Sequence, residues 1–579
     1  MIKKLSKYLK GLGLLCLVSA AGMITEAVCE LALPSISNLV YNSVSLAADS
    51  GENITGKVVR TGLMMFGMAV LGLCGGLATM KASSVVAQRF SYRLRKDLYA
   101  KISSFSFKNI DTFSTSSLTT RLTNDVTMLQ NTLLMVLRIL VRAPALLVVS
   151  AFFAFSINWR VSIIIVILLP VIIAVVALVL KYGFPMFKKM QKKIDKVNQV
   201  VQENLIGIRV VKAYVREDRE KEKFHDASDE LAAQGAKAAG LIVTVMPIMF
   251  LMLNVVIIYI YAKGAHDAAA GRMDIGQISV LASYIVQVLM NIVMVSIFLL
   301  QLTRAKACGD RVVEVLDTDV DIVNPAEPYV PEAPRGAISF ENVYFGYHDG
   351  DDVLEDISFT AEPGTVVGII GSTGSGKSSL VNLIPRLYDV HGGSVKVDGV
   401  DVRDYDLKAL RELIGVVLQK NVLFSGTIKE NIRWGKPDAT DEEIIRACEA
   451  AQAHGFVSEQ PDGYDTDLSQ GGLNLSGGQK QRLCIARAMI KSPKILILDD
   501  STSAVDTATE AKIRESFYHE LKDTTVIIIA QRISSVQEAD KILVLDEGKL
   551  SAVGTHEELL ESSEIYREIN KTQQKGVLE

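Results

Sequence analysis

Cysteine is sparse and unpaired: six in 579 residues, with no two in a CxxC spacing. That excludes the common structural zinc site and argues against a disulfide framework, so the sulfurs are expected as free thiols in a reduced protein. Net charge is nearly absent as well. Against 61 Lys and Arg stand 65 Asp and Glu, a balance of −4, which argues against bulk binding to nucleic acid. No cleavable signal peptide is expected: Met1 to Lys10 is basic, but the apolar stretch behind it runs on too far and has no clear small-residue cleavage site. What the chain has in excess is apolar surface, with 49% hydrophobic residues and a mean hydropathy of +0.27. These residues are segregated. Val161 to Leu180 contains no charge, whereas beyond about Gly336 short apolar runs alternate with Gly, Asp and Lys. A purely soluble, a disordered and a fibrous chain are all excluded. At roughly 150 residues per domain the length holds three or four domains' worth of core.

Crossing a hydrocarbon layer of ~30 Å takes about 20 apolar residues. Six segments qualify: about 12–42, 58–80, 129–157, 161–180, 241–262 and 277–302. Basic residues sort their connections. One set is poor in them (Lys57 and Arg60; Arg160; Lys263 and Arg272). The other is rich: Lys3, Lys4, Lys7 and Lys10, then eight between Lys81 and Arg121, then thirteen between Lys181 and Lys237. Both termini are therefore expected in the cytoplasm. The two basic connections are long and helical in pattern, continuing the spanning helices and returning through short segments, one of them at Gln202–Lys212.

Glu26 and Glu30 share one face of the first spanning helix. Isolated charge in lipid is costly, so each faces a partner or a water-filled cavity. One reading is a cavity for cationic substrates; the other is pairing with another helix, for example with Arg138 and Arg142, also four apart. Met246, Met249, Met252, Met290 and Met294 offer an adaptable surface or ordinary packing. Pro34, Pro144, Pro170 and Pro247 are expected at local kinks.

Asp310 to about Gly336 carries Pro325, Pro328, Pro331 and Pro334 and reads as a linker. Behind it the apolar run Thr365–Ile370 leads into Gly371-Ser372-Thr373-Gly374-Ser375-Gly376-Lys377-Ser378-Ser379, and a helical pattern follows. This is the G-x-x-x-x-G-K-[ST] loop in its strand–loop–helix setting. Its glycines let backbone N–H groups curl around phosphate at a helix N-terminus. Lys377 is expected to reach the β/γ-phosphates and Ser378 to ligate Mg²⁺. A second strand, Ile495–Leu498, ends in Asp499, an acid placed to hold the Mg²⁺ shell. Tyr347 is expected either to stack on a base or to pack. Leu475-Ser476-Gly477-Gly478-Gln479 opens a further helix, a second anion-binding turn that implies a second nucleotide, held with another copy of the fold.

On these residues the chain resembles a half-transporter of the ATP-binding cassette superfamily, in the exporter class. The resemblance implies a multi-domain fold. An all-α six-helix transmembrane domain of the type IV exporter kind (residues 1–309) and a linker (310–336) precede an α/β P-loop nucleotide-binding domain (337–579). Gly371–Ser378 matches Walker A, Gln419 the Q-loop (a Mg²⁺ ligand in the family), Leu475–Gln479 the signature, Asp499 Walker B, Ser503–Asp506 the D-loop and Tyr347 the adenine-stacking position. Thr112–Asp125 and Gln202–Lys212 resemble the regions of the two cytoplasmic coupling helices. The family's implication is two chains closing head to tail on two ATP molecules with Mg²⁺, each ATP lying between one chain's Walker A and the other's signature.

Two positions depart from the family pattern. Asp500 stands where fully active members carry Glu; its reach is about one bond, roughly 1.5 Å, shorter, and misplacements near 1 Å cost on the order of 100-fold. Gln531 stands where they carry the switch His, and no histidine occurs between His519 and His556. Glutamine hydrogen-bonds but does not become cationic near neutral pH. A site that binds ATP well and cleaves it poorly, beside an intact signature, resembles one subunit of a heterodimeric multidrug-type exporter in a bacterial plasma membrane. Its partner is then a second half-transporter with the Glu and His, and its cargo an amphipathic small molecule. Lipid or peptide export, and an ATP-gated channel-like protein, are the alternatives.

Overall fold

The computed structural model describes residues 2–50, 55–347, 350, 352–500, 506–520 and 522–575. Two compact units emerge. Met1–Ser103 and Ser116–Thr318 form the first; Ser104–Thr115 and Asp319–Glu579 form the second.

Long helices dominate the chain up to Asp317: α1 (Gly13–Ser50), α2 (Thr55–Ser103), the short α3 (Phe107–Phe113), α4 (Val126–Ile157), α5 (Trp159–Ile206), α6 (Glu217–Ala269) and α7 (Ile275–Asp317). Among the described residues, four stretches are long and apolar enough to cross a membrane: Gly13–Tyr41, Thr55–Ser103, Thr115–Ile157 and Pro247–Ala269. The other two expected spans lie on α5 and α7, where many side chains fall outside the described set; of α7, Ile275–Val288 is a shorter apolar stretch. Pro34, Pro144, Pro170 and Pro247 all sit inside helices. The side chain of Met246 lies outside those described.

Several polar groups inside the first unit are paired. Arg142 of α4 reaches both acids of α1, Glu26 at 3.4 Å and Glu30 at 2.6 Å. Helix-to-helix pairing is thus what the structure contains, through one arginine: Arg138 instead donates to Ser83 and Ser84 of α2. Buried Tyr284 donates to the Leu31 carbonyl at 2.8 Å, and Asn158 caps α5 through the amides of Arg160 and Val161.

The linker expectation needs correction at its start. Asp310–Asp317 continues α7, because the prolines begin only at Pro325 and the stretch has partners. Val312 and Val315 are fully buried, Arg311 pairs with Asp125, and Arg121 pairs with Glu314 at 2.8 Å. Within the first coupling-helix window, Thr112–Asp125, lie a short helix at Thr115–Thr120 and a helical turn at Arg121–Asp125. A further short helix, Phe107–Phe113, overlaps its start: Ser106 and Asn109 form a capping box that opens it, and Ser114 at φ 58° ends it. It packs within the second unit, where Tyr388 donates to Asp111 at 2.8 Å and faces Phe107 at 6.0 Å. The other window turns at Gly207 into a short helix, Ile208–Ala213, before α6 begins.

The second unit holds two main sheets. β1 (Ile338–Phe345), β2 (Leu354–Ala361), β4 (Gly392–Val397) and β5 (Val400–Asp401) form an antiparallel one, in the order β2-β1-β4-β5. The other contains β3 (Val366–Gly371), β6 (Ile414–Val417), β7 (Ile495–Asp499), β8 (Thr525–Ile529), β9 (Lys541–Asp546) and β10 (Lys549–Gly554), in the order β10-β9-β3-β8-β7-β6. All its pairs are parallel except β9–β10. Its central strands read as unbroken apolar runs because both faces are buried. Val366, Leu496 and Ile528 enter one hydrophobic cluster, while Val367, Ile497 and Ile529 enter the other. Helices α8 (Lys377–Leu383), α9 (Gly477–Met489) and α10 (Glu564–Lys575) complete the elements used below.

Candidate functional site

Parallel order places the C-terminal ends of β3, β8 and β7 side by side, with Ile529 opposite both Ile369 and Asp499. Chemistry-bearing residues follow each end: the glycine-rich loop after β3, Gln531 after β8, and Asp499 and Asp500 at β7. Such strand ends are where open α/β sheets bind ligands. A cavity of about 770 Å³ opens there, lined by Tyr347, the loop from Gly371 to Gly374, Gly376–Ser379, Gln419, Asp499, Asp500 and Gln531.

The loop's backbone requires its glycines. Gly374 and Gly376 lie at φ 87° and 91°, and a Cβ on Gly376 would stand 2.7 Å from Leu354 Cδ2. Gly376 caps α8, so the first turn of that helix faces the cavity. Lys377 Nζ lies 3.0 Å from the Gly371 carbonyl, 2.6 Å from that of Ser372 and 3.4 Å from Ser375 Oγ. Burial holds its pKa below the ordinary lysine range. Ser378 Oγ donates to Asp499 Oδ1 at 3.1 Å, and burial raises the Asp499 pKa, with Asp500 adding to the effect. Among the described residues no three His, Cys, Asp or Glu cluster as a metal cage. Oxygen donors beside a phosphate-sized loop are the set that suits Mg²⁺, which prefers one or two protein oxygens plus substrate phosphates. The residues present fit that ion.

Asp500 sits at φ 47°, a left-handed conformation that Asp tolerates better than most residues. Its amide donates to the Ile529 carbonyl at 3.0 Å, tying β7 to β8. Burial raises its pKa, and hydrogen bonds from Gln419 and Gln531 partly offset this. Gln531 Nε2 donates to Asp500 Oδ2 at 2.9 Å. The two residues that depart from the family pattern therefore bond to each other.

Of the two expectations for Tyr347, packing is what the structure contains. Its ring lines the cavity and packs edge-on against Phe345 and Tyr388 at 5.0 and 5.2 Å, while its hydroxyl lies 2.9 Å from Ser379 Oγ. The turn at Leu475–Gln479 is not among the residues lining the cavity. There Ser476 caps α9 reciprocally with Gln479: its Oγ accepts from the Gln479 amide at 3.3 Å, and its own amide donates to Gln479 Oε1 at 2.9 Å. Gly477 and Gly478 form the first turn of α9. Asp506 accepts from the Thr509 amide at 2.9 Å, whereas Ser503, Ala504 and Val505 lie outside the described residues. Sequence reasoning missed several contributors, Val353 and Asp546 among them. Helix α10 lines the same cavity through Ile565, Glu568, Ile569, Thr572 and Gln573, a placement with no local motif to announce it.

A helical membrane-type unit and an α/β unit with a phosphate-loop cavity define an ATP-binding-cassette half-transporter. Comparison with known proteins agrees. The model of the ABC transporter transmembrane region matches residues 17–293, and that of the ABC transporter family matches residues 354–503. The Bacillus subtilis protein named "Uncharacterized ABC transporter ATP-binding protein YfiB" is 39% identical over 99% of this chain and 98% of its own length. A Mycobacterium bovis protein named "Fatty acid ABC transporter ATP-binding/permease protein" is 34% identical over 85% of this chain and 78% of its own. A solved bacterial Atm1-family ABC exporter with ATP bound superposes with a TM-score of 0.77 at 25% identity, over 98% of each chain. The chain belongs to the ABC transporter family and is an Atm1-like exporter half-transporter, a multi-pass membrane protein whose ATPase domain is coupled to transport.

Proposed function

We propose that the chain is the slow-site subunit of a heterodimeric exporter that moves amphipathic molecules out of a bacterial cytoplasm, with both termini on the cytoplasmic side of the plasma membrane. The membrane domain covers residues 1–309, with α7 continuing to Asp317, and the nucleotide domain covers 337–579. In this reading Lys377 and the loop amides from Gly371 to Ser379 bind the phosphates of ATP, and Tyr347 supports the base. Ser378, Asp499 and Gln419 hold Mg²⁺, which neutralises phosphate charge when bound. Ser476, Gly477, Gly478 and Gln479 complete the ATP site of a second half-transporter carrying Glu and His, and Asp506 lies at the junction.

The observation that carries the reading is the bond between Asp500 and Gln531. A carboxylate that is one methylene short and already accepts two amide donors is poorly placed to orient water. Its raised pKa makes it a stronger base once ionised, so its deficit is one of reach and occupancy. Export of fatty-acid-like lipids is the second reading, favoured by the names of the mycobacterial fatty-acid transporter relatives.

Inside-out vesicles holding the heterodimer test the transport claim. ATP with Mg²⁺ is expected to drive accumulation of a fluorescent amphipathic cation against its gradient. Dissipation of a preset gradient on ATP addition would instead indicate a channel-like protein.

A further inference from the structure

We infer that Gln573 is a positioning residue for the nucleotide site, fixing the loop that carries Gln531 and, through it, the Asp500 carboxylate. The inference rests on the reading of the cavity as an ATP site. Gln573 lies near the end of α10. Its Nε2 donates to the Gln531 carbonyl at 2.7 Å and its Oε1 accepts from the Ile533 amide at 2.8 Å. One primary amide thus engages a C=O and an N–H two residues apart, the pair of groups a neighbouring strand would otherwise satisfy. Only Asn and Gln carry a donor and an acceptor on one such group, and of the two Gln has the longer reach. The clamped segment leaves β8, and its side chain at Gln531 donates to Asp500 Oδ2 at 2.9 Å.

The helix that delivers Gln573 is itself anchored. Buried Tyr566 bonds His556 Nδ1 at 2.7 Å, and its amide donates to Ser563 Oγ at 3.2 Å. Ile565 and Ile569 pack on the hydrophobic cluster beneath the sheet. Toward the cavity, the same helix presents Glu568 and Thr572. The anchored helix and the Gln531 segment are therefore joined through one side chain. When the clamp is lost, the Gln531 segment keeps its chain but loses its fixed orientation, and the cost falls on nucleotide retention more than on the fold. Removing one or two such bonds is worth roughly 2- to 13-fold each.

The test uses the full-length chain in nanodiscs and a fluorescent Mg·ATP analogue at pH 7.5. Gln573→Met keeps length and volume but removes both bonds, and is expected to raise the dissociation constant about fivefold. Gln573→Glu keeps the acceptor for the Ile533 amide but sets a carboxylate oxygen against the Gln531 carbonyl and a negative charge beside the phosphate site, so a loss at least as large as that of Gln573→Met is expected. In a Gln531→Ala background, Gln573→Met is expected to add nothing, because its effect runs through the Gln531 side chain; a loss caused by general weakening of the unit would add in full. Unchanged binding in Gln573→Met, or full additivity with Gln531→Ala, overturns the inference while leaving the ATP-site reading intact. Failure of the unaltered chain to bind the analogue at all overturns both.

Discussion

Ser476→Arg in this chain, assembled with its partner, is expected to cut ATP turnover of the complex on the order of 100-fold or more, whereas Lys377→Ala leaves a substantial residual rate. Ser476 opens α9 in a reciprocal cap with Gln479. Arginine removes that cap, at a cost of about 1 kcal/mol, and sets bulk and charge on the turn that, in the proposed heterodimer, meets the partner's ATP. The loss is mostly of transition-state contacts at the fast site, where a single missing donor costs about 10²–10³ in rate. Lys377 belongs to the other cavity, the one lined by Asp500 and Gln531. On the proposed reading, removing it empties the slow site and slows the cycle only through closure of the two nucleotide domains. Steady-state phosphate release from purified complexes measures both, with melting temperatures checked for each variant. The reverse order of severity would mean that the two sites have been assigned to the wrong chains.

The second large effect is a gain. Asp500→Glu with Gln531→His is expected to raise hydrolysis at this chain's own site on the order of 100-fold, given an intact opposing signature. The longer carboxylate recovers about one bond of reach, and the imidazole is free to titrate near neutral pH. Binding is expected to persist within a few-fold, since Lys377, Ser378, Asp499 and Tyr347 are untouched and a histidine in place of Gln531 keeps a hydrogen-bonding ring nitrogen there. The two changes will not add. In the native chain the Gln531 amide is spent on Asp500, so Asp500→Glu alone lengthens an acid that is still engaged, and Gln531→His alone leaves an acid that is still short and still bonded to Gln419. Single-turnover hydrolysis of each variant resolves this, and equal gains that sum would contradict the coupling. Transport is expected to fall in the double variant if retained ATP normally holds the nucleotide domains together between cycles.

Much of this site was legible because its chemistry is local. The loop around Lys377 needs glycines at fixed spacing, Asp499 ends an apolar run, and Ser476 caps a helix through a residue three positions on; each is a pattern within ten residues. The departures at Asp500 and Gln531 were legible for the same reason, but their bond spans 31 residues and depends on β7 lying beside β8. Gln573 was invisible, since its partners lie about 40 residues away and no helical pattern distinguishes a clamping glutamine from a solvated one. In the membrane unit the acids at Glu26 and Glu30 signalled a need for charge. Which arginine met it was decided by helix packing, and Arg142 took both acids while Arg138 turned to serines of α2. The start of the linker was misread because prolines mark where a helix cannot go, not how far the preceding one runs. Asp310–Asp317 is held helical by tertiary ion pairs that the sequence does not announce.

The central claim is that this chain keeps ATP without cleaving it quickly. It is tested most directly by single-turnover hydrolysis of radiolabelled Mg·ATP in a verified homodimer of the unaltered chain, where both sites carry Asp500 and Gln531 and both signatures are intact. The expected result is stoichiometric retention of nucleotide, with phosphate released on the order of 100-fold more slowly than in the double variant Asp500→Glu, Gln531→His. Brisk phosphate release by the unaltered homodimer, at a rate matching that variant, would contradict it.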